Sequence, residues 1–228
     1  MQADYVIVGA GSAGCVIANR LSARADVSVA LLEAGGSDSS PWIHIPIGYF
    51  KTMGNPKTDW CYETEPDPGL NGRSISWPRG KVLGGSSSIN GLLYVRGQPE
   101  DFEHWRQLGN MGWAWNDVLP FFKKSENWEG ASGDVRGKGG PIQVSKNKVD
   151  RDIVKAWLDA AVNKGYKWTD DYNQESQEGV GYFQMTMANG LRCSAARAYL
   201  KPLKGNKNIE IFTNTQTVKI LTEKKVAV

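Results

Sequence analysis
Apolar and polar positions follow several distinct rhythms along the chain. Residues 4–8 (DYVIV) are a short apolar run, the pattern of a strand buried on both faces. Cys15, Val16, Ala18 and Leu21 then recur at helical spacing, and residues 27–32 (VSVALL) form a second buried strand that ends at Glu33. Helical spacing returns at 99–108, with Pro99 in the first turn and Gly109 as the stop. It returns again at 116–126, where Val118, Leu119 and Phe122 share a face. The clearest helix spans 150–164: Ile153, Val154, Trp157, Ala160 and Ala161 are in phase, and Gly165 stands at C′. Ser194 is placed to cap a short helix through Leu200, and residues 209–213 and 216–221 alternate like strands. The stretch 35–75 has no period. Its Trp42, Ile43, Ile45, Ile47, Tyr49, Phe50 and Trp60 are too apolar for a free tether, so it reads as a long ordered loop.

Composition narrows the class without naming it. With 228 residues, 40% hydrophobic and 22% charged, the chain can bury a sizeable core and is not intrinsically disordered. Its 27 basic and 24 acidic residues leave a net charge of +3, with no basic stripe, so nucleic acid is not an expected partner. Cys15, Cys61 and Cys193 are widely spaced and contain no CxxC, which points to neither a disulfide framework nor a zinc site and favours a reduced, cytoplasmic setting. No signal peptide and no membrane span are expected, because the first apolar stretch is broken by glycines and no 18-residue apolar run occurs. The 26 glycines, about 11% of the chain, are the one clear excess.

Six residues place those glycines in a chemical context. Gly9, Ala10, Gly11, Ser12, Ala13 and Gly14 lie between the first strand and the first helix, and an acid, Glu33, follows roughly 20 residues beyond the third glycine. In such a unit the first glycine makes the turn, the second lets backbone touch a pyrophosphate, and the third lets helix pack on strand. The helix N-terminus offers N–H donors and partial positive charge to the phosphates, and Glu33 would hold the ribose hydroxyls. This unit alone does not separate NAD from FAD. A second glycine turn follows at 77–97 (WPRGKVLGGSSSINGLLYVRG), where Gly84, Gly85 and three serines offer donors for an anion or a flat polar ring.

Taken together, DYVIVGAGSAG, the EAGG after the second strand and RGKVLGGSSSINGLLYVRG resemble the glucose–methanol–choline (GMC) oxidoreductases, FAD-dependent alcohol oxidases and dehydrogenases. The resemblance runs through TEPDP near residue 66, WAWNDVLPFFKKSE and RCSAARAYL. It implies an α/β fold: a Rossmann-like FAD-binding domain with a parallel sheet, plus part of an α+β substrate-binding domain. Residues 1–145, with lid loops at 35–75, and 191–228 would belong to the former, and 146–190 to the latter. By the same resemblance Gly11, Ser12 and Ala13 would hold the pyrophosphate, with Glu33 and Ala34 at the ribose. Arg79, Val82, Gly84, Gly85 and Ser86 would wrap the flavin end, Asn90, Gly91, Leu92 and Leu93 would line the isoalloxazine ring, and Val218 would meet the adenine through its backbone.

The implied activity is oxidation of a primary alcohol to an aldehyde, by hydride transfer to flavin N5, with a small-molecule alcohol as partner and the electron acceptor left open. Rival readings are an FAD-binding half that needs a partner chain and an NAD-dependent reductase. A catalytic base is not evident. His104 lies in a charged helical stretch and His44 in an apolar loop, and the family's base comes from a C-terminal half that is expected beyond Val228. The FAD is expected to be non-covalent, because Ile89 stands where some family members carry the linking histidine. Trp42, Trp60 and Trp77 are expected to be large core or lid residues and not a cage for a quaternary ammonium.

Overall fold
The computed structural model describes the whole chain except Met1, Ser132, Glu175, Lys224, Lys225 and Val228. The chain divides into two compact units, Met1–Gly91 with Gly190–Val228, and Leu92–Asn189. Residues 92–145 therefore group with 146–189, and not with the N-terminal segment as the sequence suggests.

In the first unit, strand β1 (Tyr5–Val8) is followed by helix α1 (Ser12–Ser22) and strand β2 (Val29–Leu32). Strand β3 (Ile209–Phe212) completes a parallel sheet in the order β1-β2-β3, with Val6 opposite Ala30 and Ala30 opposite Glu210. A parallel pair needs a crossover, and α1 supplies it. The helix buries Gly14, Cys15, Ala18 and Ser22. Its Asn19 donates to the Tyr199 carbonyl and Arg20 lies over the Tyr199 ring. β2 is buried as expected of a central strand, but β1 is not: Tyr5, Val6 and Val8 are exposed. The physical reason is its edge position, with β2 its only strand partner among the described residues.

Two other expectations are corrected in this unit, and a third, the Ser194 cap, is found with a wider turn. The 35–75 stretch contains short turns of helix at Pro41–His44, Pro46–Gly48 and Tyr49–Thr52, two of them opened by a proline whose fixed φ suits the first position. Ser194 does cap, its hydroxyl accepting from Arg197 N at 3.2 Å, but the turn Ala196–Leu200 is wide, of the π type. Residues 216–221 do not form a strand; Val218 and Ile220 are exposed there and no ladder is made among the described residues.

The second unit has helices Pro99–Gln107, Trp115–Ser125 and Asp152–Asn163, and a parallel strand pair Glu126–Trp128 with Ile142–Val144. Asp101 accepts from Gln98 N and Asp117 from Ala114 N, so each of the first two helices has an acid closing its first turn. Glu126 opens the strand and does not end the helix, because its carboxylate is the centre of a buried ion network. It accepts from Arg96, Arg136 and the Gly137 amide, and Arg136 also reaches Asp171 and Gln184. The third helix behaves differently from its pattern: Leu158 is buried, whereas Ile153 and Trp157 are exposed.

Candidate functional site
The two glycine-rich turns meet. Gly9 N donates to Leu32 O, which ties the first turn to the end of β2, and Gly84 N donates to Ala10 O at 2.8 Å. Gly85, with φ +55, approaches Gly11 so closely that a Cβ on it would lie 2.7 Å from the Gly11 Cα. Only glycine fits there. Gly11 itself is extended (φ −75, ψ −165) at the N-cap of α1, and a Cβ on it would meet no atom within 4 Å. Its open side faces free space at a helix N-terminus, which is where an anion is favoured. Gly14 packs the helix onto the turn, its would-be Cβ lying 1.9 Å from Gly9 O.

Glu33 is 5% exposed at the end of β2. Its Oε2 accepts from Ala10 N and its Oε1 from Gly35 N, both at 2.8 Å. Each oxygen keeps a second lone pair for a hydroxyl donor. Glu33 and Ala34 line a cleft of about 290 Å³ with Gly9, Gly11, Trp60 and Gly85, and residues 215–217 form its far wall. The Thr217 hydroxyl oxygen in that wall is buried and has no hydrogen-bond partner among the described residues. A buried hydroxyl left alone is unfavourable and points to a ligand atom. Sequence reading missed Thr217 because its neighbour Val218 carried the expectation; Val218 is 93% exposed. An open glycine at a helix N-terminus, a carboxylate and a hydroxyl with no partner among the described residues, around one cleft, fit the adenosine and pyrophosphate end of a dinucleotide.

The serines serve the turn more than a ligand. Ser87 Oγ donates to Gly84 O and Ser88 Oγ to Leu83 O, while Ser86 Oγ accepts from Gly80 N. Local side-chain-to-backbone bonds of this kind compete for hydroxyls, so the expected set of three free hydroxyl donors is not formed. Arg79 lies over the Trp77 ring and donates to Pro78 O. Val82 is buried with Ile43 and Ile89 and takes part as core. Ser12 and Ala13 begin α1, and Asn90 and Gly91 follow the short helical turn Gly85–Ser88. Leu92 (φ +65, buried) and Leu93 (exposed) belong to the second unit.

Asp59 organises the loop beside Arg79, accepting from the Gly54, Cys61 and Arg79 amides. Burial works against its ionisation, but these three donors and the Arg79 charge pull its pKa below the ordinary value. Arg192, also missed from sequence, is fully buried against Asn90 and Ser87.

The remaining candidates lie elsewhere. His44 lines a larger cavity of about 850 Å³ with Leu83, Leu200 and Ile209, and is absent from the glycine cleft's lining. His104 is exposed on its helix. The Cys15 thiol donates to Ala10 O, and burial pushes it up to about 12, so it stays protonated. Trp60 stacks on Tyr62 and carries Lys81 on its ring, and Trp77 carries Arg79; these aromatic faces meet the chain's own cations. Among the described residues no group of three His, Cys, Asp or Glu side chains could hold a metal, and no helix is long and apolar enough to cross a membrane.

Known proteins share both sequence and fold with this chain. A family model described as GMC oxidoreductase matches residues 3–228. An oxygen-dependent choline dehydrogenase of Rhizobium etli (strain CIAT 652) is 48% identical over 209 residues, covering 92% of this chain and 38% of that protein. The solved pyridoxine 4-oxidase from Mesorbium loti superposes with a TM-score of 0.92 at 34% identity, over 97% of this chain and 44% of its own. An FAD-dependent oxidoreductase from Chaetomium thermophilum gives a TM-score of 0.90 at 29% identity, over 100% of this chain and 41% of its own. The chain thus spans about two fifths of the length of the relatives it matches.

Proposed function
Because the chain belongs to the GMC oxidoreductase family, we propose that its glycine cleft holds the adenosine and pyrophosphate end of FAD and that the protein oxidises a primary alcohol, choline-like or other, to an aldehyde. The observation that carries this reading is the convergence of the two turns through Gly84 and Ala10 around a cleft with an open Gly11 and an unpartnered Thr217 hydroxyl.

The residues have separable tasks. The amides at the start of α1, from Gly11 through Ala13, hold the pyrophosphate; Glu33 accepts from the ribose hydroxyls; Thr217 donates to or accepts from the adenosine portion. Glu33 also fixes the turn through Ala10 N and Gly35 N, so one carboxylate binds and positions. The segment from Gly84 to Asn90 borders the flavin portion. FAD, when bound, supplies the hydride acceptor. No base is assigned among the described residues, given the places of His44 and His104; a part of the longer relatives that this chain does not match would supply it.

The purified protein tests this directly. It is expected to retain FAD with a flavin absorbance spectrum. Anaerobic choline is expected not to bleach that spectrum in the chain as it stands, but to bleach it once the unmatched portion is supplied. A protein that retains nicotinamide nucleotide and no flavin would overturn the reading.

A further inference from the structure
Arg192 is 0% exposed, and its guanidinium is surrounded by neutral acceptors. Nε donates to Ile43 O at 2.8 Å, and Nη1 donates to Ser87 O at 3.1 Å and to Asn90 Oδ1 at 2.7 Å. Nη2 is buried and has no partner among the described residues. Among the described residues no ion pair includes Arg192. Burial draws its pKa down to about 10, which leaves it charged at neutral pH. A buried cation without a counter-charge is strongly unfavourable, and a fold that keeps one has a use for the charge.

Its contacts indicate where that charge acts. Ser87 and Asn90 flank the end of the GGSSSIN turn, and a guanidinium has only donors, so the atom that Asn90 turns toward it must be the carboxamide oxygen. The Asn90 amide nitrogen is thereby directed away from Arg192. Asn90 is exposed although the guanidinium beneath it is buried.

We propose that Arg192 is a positioning residue for Asn90 and a fixed, un-neutralised positive charge beneath the GGSSSIN turn, set to favour electron uptake by a flavin ring lying on that turn. This rests on the FAD reading given above. Two-electron reduction adds negative charge to the ring, and a nearby cation in a low-dielectric setting stabilises it.

The test compares midpoint potentials of bound FAD, measured by reductive titration with dithionite against a reference dye, in the wild-type protein, Arg192→Lys and Arg192→Met. Arg192→Met is expected to shift the potential to more negative values, with Arg192→Lys staying nearer to wild type because it keeps the charge. Equal potentials in wild type and Arg192→Met, or equal shifts in both variants, would overturn the proposal and leave Arg192 a packing residue. Should either Arg192 variant fail to fold, Asn90→Asp decides the charge question without any flavin. It gives the guanidinium its missing carboxylate, so the cofactor-free protein should melt at a higher temperature than wild type; an unchanged or lower melting temperature overturns the proposal. A wild-type protein that binds no FAD counts against the cofactor reading, and the Asn90→Asp melt still reports on Arg192.

Discussion
The Gly84 amide donates to the Ala10 carbonyl at 2.8 Å, and this single bond joins two glycine turns that are far apart in the chain. Neither turn forms the cleft by itself. The first brings the helix N-terminus and the second, through Gly85, closes in on Gly11, so the cleft depends on long-range folding of the whole first unit.

Glu33 should be sensitive in two ways. Glu33→Ala removes the proposed ribose acceptor and is expected to weaken FAD binding by roughly 1.5–3 kcal/mol. It also strips Ala10 N and Gly35 N of their partner, so the cofactor-free protein should melt lower. Equilibrium titration and thermal melting separate the two effects; unchanged FAD affinity removes Glu33 from the site.

Asp59 should make the loop acid-sensitive. Its folded-state pKa lies below the ordinary 3.8, so its contribution is present above that value and is lost as pH falls through the lower, folded one. Asp59→Ala is expected to lose roughly 2–3 kcal/mol near neutral pH, and the gap to wild type should narrow as pH falls below the ordinary carboxylate value. Urea melts across that range check both the size and the direction.

What the sequence made legible was the local chemistry. The strand–glycine–helix–strand order, the acid at Glu33 and the proline-opened helix at residue 99 are set by neighbours a few residues away, and they appear in the structure as read. The first motif left NAD and FAD open, and only the resemblance carried by both motifs together implied FAD. What stayed hidden depends on distant partners. The edge exposure of β1 follows from which strands lie beside it, and the outward face of Asp152–Asn163 from what packs against it. Arg192 and Thr217 are ordinary letters until folding buries a guanidinium nitrogen and a hydroxyl that have no partner among the described residues.

The second unit offers a separate stability test. Glu126 pairs with two buried arginines, with side-chain exposures of 0% for Glu126 and 2% and 0% for Arg96 and Arg136, and Asp171 supplies the second negative charge. Glu126→Ala leaves these cations short of charge and is expected to cost roughly 3–5 kcal/mol, read as a lower urea midpoint. A loss below about 1 kcal/mol, the scale of an exposed pair, would show that the network is solvated.

Flavin attachment should be non-covalent. Ile89 is packed with Ile43 and Val82 and has no atom able to bond the ring. Acid precipitation of the FAD-loaded protein should leave yellow FAD in the supernatant and a colourless pellet. A denatured protein mass raised by one FAD would contradict it.

The central claim is that the open side of Gly11 is where the FAD pyrophosphate sits, and Gly11→Ala tests it most directly. The added Cβ meets no protein atom within 4 Å and the backbone is extended, so the cofactor-free protein should lose no more than about 1 kcal/mol of stability, the scale of a changed N-cap. The same methyl would occupy ligand space, and FAD affinity measured by titration should fall roughly tenfold or more. A variant that folds normally and binds FAD as tightly as wild type would contradict the account.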